Sequence, residues 1–311
     1  MQLTRHHPHQ PAQSISSGPL LQTANTSNQP KRTRISANER ILQELREKKA
    51  SRRSSMDPNN SSQSHNADVT RFQVHDPAYR PQSVCVFPVG KDSSDETLRM
   101  MIGSVLRDGI MITAHRPPAR LVSFDMEWCT DHRARKARPT SLIQICGQSI
   151  TLIIQLAHIQ RPKWFLHVLP APIAEFLRDR SIIKFGVGIS GDASKLTEDL
   201  FTDPTGSQVY LDAFVELIDV AKLIDPTARD DIPGNCFSLQ RFVARYLEQL
   251  LPKSKKIVLS NWESPHLTPN QLNYAASDVI SAMRVYLKLY LQPAHHPQFM
   301  PPIKYATPGT I

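Results

Sequence analysis

Cysteine is scarce in this sequence, with four residues in a chain of 311. Cys85, Cys129, Cys146 and Cys236 stand far apart, and no two of them form a Cys-x-x-Cys pair. The sequence also lacks an apolar signal peptide at its start. We therefore expect ordinary reduced thiols of an intracellular protein rather than a disulfide framework.

Long apolar runs are also missing. The best candidate, residues 150–159, is far shorter than the roughly 18 to 20 residues that a membrane span needs. We expect a soluble protein that does not enter a membrane.

Aromatic residues are absent from the first 70 positions, which are rich in Ser, Gln, Asn, His and Pro. Such a segment buries too little apolar surface to offset its ordering entropy. Residues 1–80 contain 12 Lys and Arg against 6 Asp and Glu, so they carry most of the net charge of +9. We predict a disordered basic tail over residues 1–75, apart from a short helix within residues 36–50.

The remaining chain alternates between strand and helix patterns. A strand at 84–89 and a helix at 96–107 precede three closely spaced strands, at 121–124, 140–146 and 150–156. The later elements are a helix at 163–178, a strand at 182–187, a helix from 191, a strand at 214–220, and helices at 238–251 and 268–290. This order predicts one α/β domain over residues 80–292, with helices on the faces of a mixed sheet. The Pro-rich residues 293–311 are predicted to be a flexible carboxy-terminal tail.

Two acidic residues, Asp125 and Glu127, follow the first strand of the meander. Because strand side chains alternate, the two carboxylates point to one side and Met126 points to the other. Like charges held this close favour a hard divalent cation between them, although a solvated strand end is the plainer interpretation.

Two further carboxylates lie on predicted helices. Asp192 begins a helix, where an acidic residue also suits the helix dipole. Asp278 lies in mid-helix on the apolar side, one turn after Tyr274, and a buried carboxylate there needs a partner.

These residues belong to three short strings that resemble the exonuclease motifs of the DEDD superfamily. They are similar above all to ribonuclease D and Werner syndrome exonuclease-like domains of the tyrosine subclass. The strings span residues 124–128, 186–192 and 274–278, and the segments 260–262 and 267–272 match as well. Their order is that of the family, over residues 120–290.

The resemblance implies a ribonuclease H-like fold with a five-stranded mixed sheet flanked by helices. It further implies hydrolysis of nucleic acid from a 3′ end, releasing nucleoside monophosphates, with two Mg²⁺ or Mn²⁺ ions. Asp125 would bridge both ions, Glu127 and Asp278 would hold the ion that activates water, and Asp192 would act largely through ordered water. Tyr274 would orient the attacking water, since an ordinary phenol is a poor base.

Substrate contacts are predicted for three residues. Met126 and Trp128 flank the first motif and can stack on or wedge against terminal bases, although Trp128 suits the core as well. Lys195 is a candidate phosphate contact. The basic segment 131–138 can track phosphates, but a charged hairpin is also often only a solvated loop.

A catalytically silent scaffold that binds nucleic acid or protein is the main alternative, and the presence of all four carboxylates and the tyrosine argues against it. The short stretch after the last helix leads us to expect no fused polymerase, helicase or accessory helical domain. Basic clusters at residues 31–34 and 48–53 favour the nucleus, whereas the lack of acidic residues before Glu39 fits a mitochondrial protein. The choice between DNA and RNA stays open.

Overall fold

The computed structural model describes residues 43–44, 46–47, 70–90, 93–131, 133–156, 168–225, 227–228, 238–290 and 301–306. The strands are β1 (Ser83–Pro88), β2 (Ile110–Ile112), β3 (Ala119–Asp131), β4 (Lys136–Cys146), β5 (Ile150–Gln155), β6 (Ile182–Gly186) and β7 (Phe214–Glu216). The helices are α1 (Asp95–Asp108), α2 (Ala171–Arg178), α3 (Ile189–Glu198), α4 (Leu217–Ile224), α5 (Leu239–Phe242), α6 (Lys255–Val258) and α7 (Pro269–Tyr290), and α5 continues into a wider helical turn at Val243–Leu247.

The strands form one mixed sheet in the order β1-β5-β4-β3-β6-β7, and β2 pairs with the start of β3. β3, β4 and β5 are antiparallel neighbours, as the meander predicted, whereas β6 and β7 add in parallel. The strand expected at 84–89 is β1, which pairs in parallel with β5 at one edge of the sheet, whereas β2 was not expected.

Helices cover both faces of the sheet, and each face has its own apolar core. On one face α4, α5 and α7 pack against strand residues such as Leu121 and Phe185. On the other face α1, α2 and α3 pack against the alternate residues, such as Val122 and Phe124. Because neighbouring strand residues point to opposite faces, an apolar strand residue is buried whichever way it points.

β3 and β4 continue beyond the rest of the sheet as a two-stranded ribbon. β6 pairs with β3 only as far as Ser123, and β5 pairs with β4 only from Leu142. β3 and β4 remain paired with each other out to Asp131 and Lys136, with register shifts on both sides of Trp128. Such bulges bend a strand and increase its twist.

Three predicted elements differ from the structure. The strand expected over residues 214–220 ends at Glu216, and α4 begins at Leu217, because the apolar residues from 217 to 224 recur at helical spacing. The helix expected at 163–178 begins only at Ala171, after Pro170, and the part before residue 168 lies outside the described residues. The helix expected at 238–251 ends at Glu248, whose positive φ of 56° stops it.

The end of the predicted tail packs on the domain. Phe72 and Val74 lie in the core beside α7, and their exposures are 6% and 7%. The guanidinium of Arg284 donates to the carbonyl oxygens of Gln73 and Val74, both at 2.6 Å, and lies over the ring of Tyr79. Phe72 and Val74, which the sequence placed in the tail, therefore pack on the domain. Within the predicted helix at 36–50, the four described residues are helical and exposed, and the rest of residues 1–69 lies outside the described residues.

Part of the predicted carboxy-terminal tail also joins the fold. Lys304 pairs with Phe214 of β7 through two backbone hydrogen bonds of 2.9 and 2.7 Å, and Ile303 packs against the core. Residues 301–306 thus belong to the domain, whereas 291–300 and 307–311 lie outside the described residues. Within the described ranges, no helix has both the length and the apolar character that crossing a membrane requires.

Candidate active site

Three carboxylates meet where β3 leaves the sheet. Asp125 and Glu127 point to the same side of β3, as their spacing predicted, and α7 brings Asp278 against that side. One oxygen from each of the three carboxylates lies within 4.8 Å of the others. Oxygen ligands at this separation suit a hard divalent cation.

Asp192 approaches the same place from α3, and its exposed fraction is 7%. It lies outside the group of three, yet its charge acts on Glu127. Gly186, at the end of β6, makes the approach possible, because a Cβ there would lie 2.7 Å from the carbonyl oxygen of Phe124. The next turn reverses direction at Gly188, which has a φ of 80°.

Glu216 fixes the start of the helix that carries Asp192. One of its carboxylate oxygens accepts from the backbone N–H of Gly188 at 2.9 Å, and the other accepts from that of Ser190 at 2.8 Å. The carboxylate therefore satisfies N–H groups that the first turn of α3 leaves without a partner. This residue carries no signal in the sequence, because residues 214–220 have the pattern of a plain strand.

Burial and mutual repulsion raise the pKa of these carboxyl groups. Burial, together with the charge of Asp278, raises the pKa of Asp125 to about 8. Burial and the charges of Asp125 and Asp278 raise the pKa of Glu127 to about 10. Burial raises the pKa of Asp192 well above its ordinary value, and the charges of Asp125 and Glu216 add to the effect. Without a cation, these groups cannot all be ionised at neutral pH.

Two neighbours oppose part of this effect at Asp278. Burial raises the pKa of Asp278 to about 6, while the charge of Lys253 and a hydrogen bond from Tyr274 act to lower it. The charge of Lys253 also acts to lower the pKa of Asp125 and of Glu127, against their burial. Lys253 is exposed and follows the wider helical turn after α5. A single lysine in a loop carries no signal in the sequence, so this residue was not predicted.

Tyr274 lies one turn before Asp278 and is 6% exposed. Its ring packs on Trp262, with the ring centroids 6.0 Å apart, and its hydroxyl donates to the carboxylate of Asp278. Burial raises its pKa further above 10, and so do the charges of Asp278, Glu127 and Asp125. The hydroxyl therefore stays protonated at neutral pH and can act as a hydrogen-bond donor, not as a base.

The three residues that were predicted to contact substrate are buried or half-buried. Met126 is 3% exposed and lies in the core against α2 and α3, because the far side of β3 is covered by helices. Lys195 is 6% exposed and forms an ion pair with Asp199, one turn later on α3. Its ammonium also lies 5.5 Å from the ring centre of Trp128, which is half-buried. Met126 and Lys195 are thus buried, and Trp128 keeps only part of its surface free, so the contacts of these three residues with substrate stay predictions.

Comparison with known proteins agrees with the fold and with the order of the motifs. The model of the 3′-5′ exonuclease family matches residues 109–292, more than half of the chain. A mouse protein described as a bifunctional 3′-5′ exonuclease/ATP-dependent helicase WRN is 35% identical over 169 residues, which are 54% of this chain and 11% of the mouse protein. A Drosophila melanogaster exonuclease 3′-5′ domain-containing protein 2 is 30% identical over 185 residues, which are 58% of this chain and 27% of the fly protein.

The chain thus spans well under a third of either relative. Among solved structures, Brucella melitensis NrnC with bound Mg²⁺ aligns with 68% of this chain and 80% of its own, at 18% identity and a TM-score of 0.43. The family match covers β3, α3 and α7, which carry the four carboxylates and Tyr274. The chain has a ribonuclease H-like exonuclease fold and belongs to the 3′-5′ exonuclease family.

Proposed function

We propose that this protein is a metal-dependent exonuclease that hydrolyses phosphodiester bonds from the 3′ end of a nucleic acid and releases nucleoside monophosphates. One observation carries the proposal: Asp125, Glu127 and Asp278 place three carboxylate oxygens within 4.8 Å of one another. Membership of the 3′-5′ exonuclease family supports the same chemistry.

The donor set fits Mg²⁺ or Mn²⁺. Both are hard cations that take carboxylate oxygens, and a divalent cation here would relieve the repulsion that helps to raise the pKa values of Asp125 and Glu127. Asp125, Glu127 and Asp278 would hold the metal, and Asp192 would add its charge from α3. Bound ions of this kind stabilise charge on phosphoryl oxygens and make water more acidic.

The tyrosine supplies a positioned proton donor. Its hydroxyl is held at Asp278, it stays protonated, and its ring is fixed against Trp262. In the proposed reaction Tyr274 hydrogen-bonds the attacking water or a phosphate oxygen beside Asp278 and so orients it.

Degradation of oligonucleotides tests the proposal. DNA and RNA of the same sequence, labelled at the 5′ end, are incubated with Mg²⁺, with Mn²⁺ or with a chelator. We expect a ladder of products shortened from the 3′ end in the presence of metal and none with the chelator. Asp125→Ala should be inactive, whereas Asp95→Asn, at an exposed carboxylate in the first turn of α1, should cut normally. Wild-type protein that binds both strands with metal but shortens neither is instead a silent scaffold.

We also propose the nucleus as the place where the protein acts. The basic clusters at residues 31–34 and 48–53 support it, and the mitochondrion is the alternative. A fluorescent fusion of residues 1–69 should accumulate in nuclei, and replacing the basic residues of both clusters by glutamine should abolish that accumulation. Accumulation in mitochondria would contradict the proposal.

A further inference from the structure

The ribbon beyond Glu127 runs outward from the carboxylates and ends in a basic turn. β3 pairs with β4 as far as Asp131, so residues 128–131 and 136–140 extend from the acidic group as a two-stranded ribbon. The carboxylate of Asp131 accepts from the backbone N–H groups of Arg133 and Ala134, at 2.9 and 3.0 Å, which orders the turn. The turn is therefore preformed and needs little ordering when it binds a ligand.

The charges of this turn are displayed to solvent. Arg133, Arg135 and Lys136 are exposed. Arg138 is held by a bidentate ion pair with Glu263, with N–O distances of 2.9 and 2.8 Å. This pair ties the ribbon to the chain just before α7, and so to the element that carries Tyr274 and Asp278. Three of the four basic residues remain directed toward solvent.

A second basic segment lies next to the acidic group. Lys253, Lys255 and Lys256 are exposed, and no acidic residue occurs between residues 249 and 262. The segment is fixed to the site through Trp262, whose indole N–H donates to the carbonyl oxygen of Val258 and whose ring packs on Tyr274. The electrostatic effect of Lys253 on three site carboxylates agrees with this placement.

We propose that the segment 253–256 and the ribbon turn 133–136 together bind the phosphate backbone of the substrate strand, close to and farther from its 3′ end respectively. This inference rests on the proposed function, because it names what those cations hold. The phosphates of a nucleic acid carry the same sign of charge as the site carboxylates, which repel them. Cations beside the acidic group would offset this repulsion and hold the substrate strand.

The length of the ribbon predicts which nucleotides the turn contacts. Arg133 follows Glu127 by six positions, and a strand rises about 3.3 Å per residue, so the two residues lie at most roughly 20 Å apart. Stacked nucleotides advance about 3.4 Å along one strand, so the turn lies about six nucleotides from the reacting end. A trinucleotide cannot reach it, whereas a dodecanucleotide can. Lys253, in contrast, lies close enough to the carboxylates to contact both the trinucleotide and the dodecanucleotide.

Kinetics on two substrate lengths test the inference. The variants are Arg133→Gln/Arg135→Gln/Lys136→Gln, Lys253→Met and, as a control, Lys288→Gln, an exposed lysine in the last turn of α7. For the triple variant we expect kcat/KM on a single-stranded 12-mer to fall at least 10-fold, with the value on a trinucleotide unchanged. Lys253→Met should lower kcat/KM on both lengths, and Lys288→Gln on neither.

Binding gives a readout that does not depend on hydrolysis. In an Asp125→Ala background, fluorescence anisotropy with a labelled 12-mer is measured over a series of salt concentrations. Loss of three phosphate contacts should reduce the slope of log K against log salt by about 2, at roughly 0.7 per contact for single strands. The inference is overturned if the triple variant has the same salt slope and the same kcat/KM as Lys288→Gln. It is also overturned if kcat/KM of the triple variant falls as much on the trinucleotide as on the 12-mer. A loss of affinity that is seen only with duplex DNA would overturn the inference as well.

The two hypotheses fail in different ways. If wild-type protein cuts neither length, the proposed function fails, while the anisotropy series still measures the basic surface. If wild-type protein cuts and the triple variant cuts the 12-mer equally well, only this inference fails. Melting curves identify a variant that has lost its fold, and Arg133→Gln alone then replaces the triple variant, with an expected change in slope of about 0.7.

Discussion

Replacing Asp125 by asparagine should end catalysis and, at the same time, make the metal-free protein more stable. Burial and the charge of Asp278 raise the pKa of Asp125 from 3.8 to about 8. A carboxyl group with a raised pKa contributes full stability below its unfolded pKa and loses that contribution as the pH rises toward 8. Asparagine has a similar shape and no charge, so its advantage should grow from pH 5 to pH 8.

The magnitude follows from the size of the shift. At 1.36 kcal/mol per unit of pKa, the carboxylate costs at most about 5 kcal/mol at pH 8. Protonation of Glu127 relieves part of the same repulsion, so we expect Asp125→Asn to gain about 1–3 kcal/mol. For a domain of this size that gain corresponds to a rise in Tm of roughly 3–10 °C.

Melting curves at pH 5 and pH 8, with chelator and with Mg²⁺, provide the assay. With chelator, the variant should melt above the wild type, and the gap should be wider at pH 8. With Mg²⁺, the wild type should gain stability and the variant much less, because the variant has lost a ligand. A variant that is less stable than the wild type at pH 8 with chelator would refute the electrostatic reasoning.

Three further predictions concern other residues. Tyr274→Phe should lower the single-turnover rate by roughly 10² to 10⁴ with substrate affinity almost unchanged, whereas a tyrosine that only packs would change Tm and leave the rate as it is. Deletion of residues 1–69 should leave the rate and Tm unchanged, but deletion of 1–75 removes two core side chains and should cost about 3–6 kcal/mol, measured by urea unfolding. Burial lowers the pKa of Lys184 to about 7, so the stability of the wild type relative to Lys184→Met should rise between pH 7 and pH 10. An unfolding free energy with the same pH dependence in both proteins would contradict this.

Sequence patterns predicted those parts of the fold that depend on local periodicity. Alternation along β3 placed Asp125 and Glu127 on one side, and helical spacing placed Tyr274 beside Asp278. The ordered motifs placed Asp192 at the start of α3, where the structure has it. The catalytic roles of these five residues stay predictions, since they depend on a metal and a substrate.

The remaining features depend on contacts between distant segments. Phe72 and Val74 stand in a polar segment without periodicity, and the apolar core that buries them is built from distant segments that include α7. Met126 was assigned to the side opposite the carboxylates, but the sequence does not show that helices cover that side as well. The pairing of Lys195 with Asp199 was visible in principle, because a spacing of four residues on a helix brings the two side chains together.

The short pairing between Lys304 and β7 has a consequence for how the protein behaves at high concentration. β7 is the last strand of the sheet, and an edge strand offers unpaired backbone groups to any other extended chain. The two hydrogen bonds with Lys304 occupy those groups at Phe214, and Ala306 donates from its backbone N–H to Asp212 beside it. Removing residues 301–306 would uncover this edge, and we expect edge-to-edge aggregation to follow.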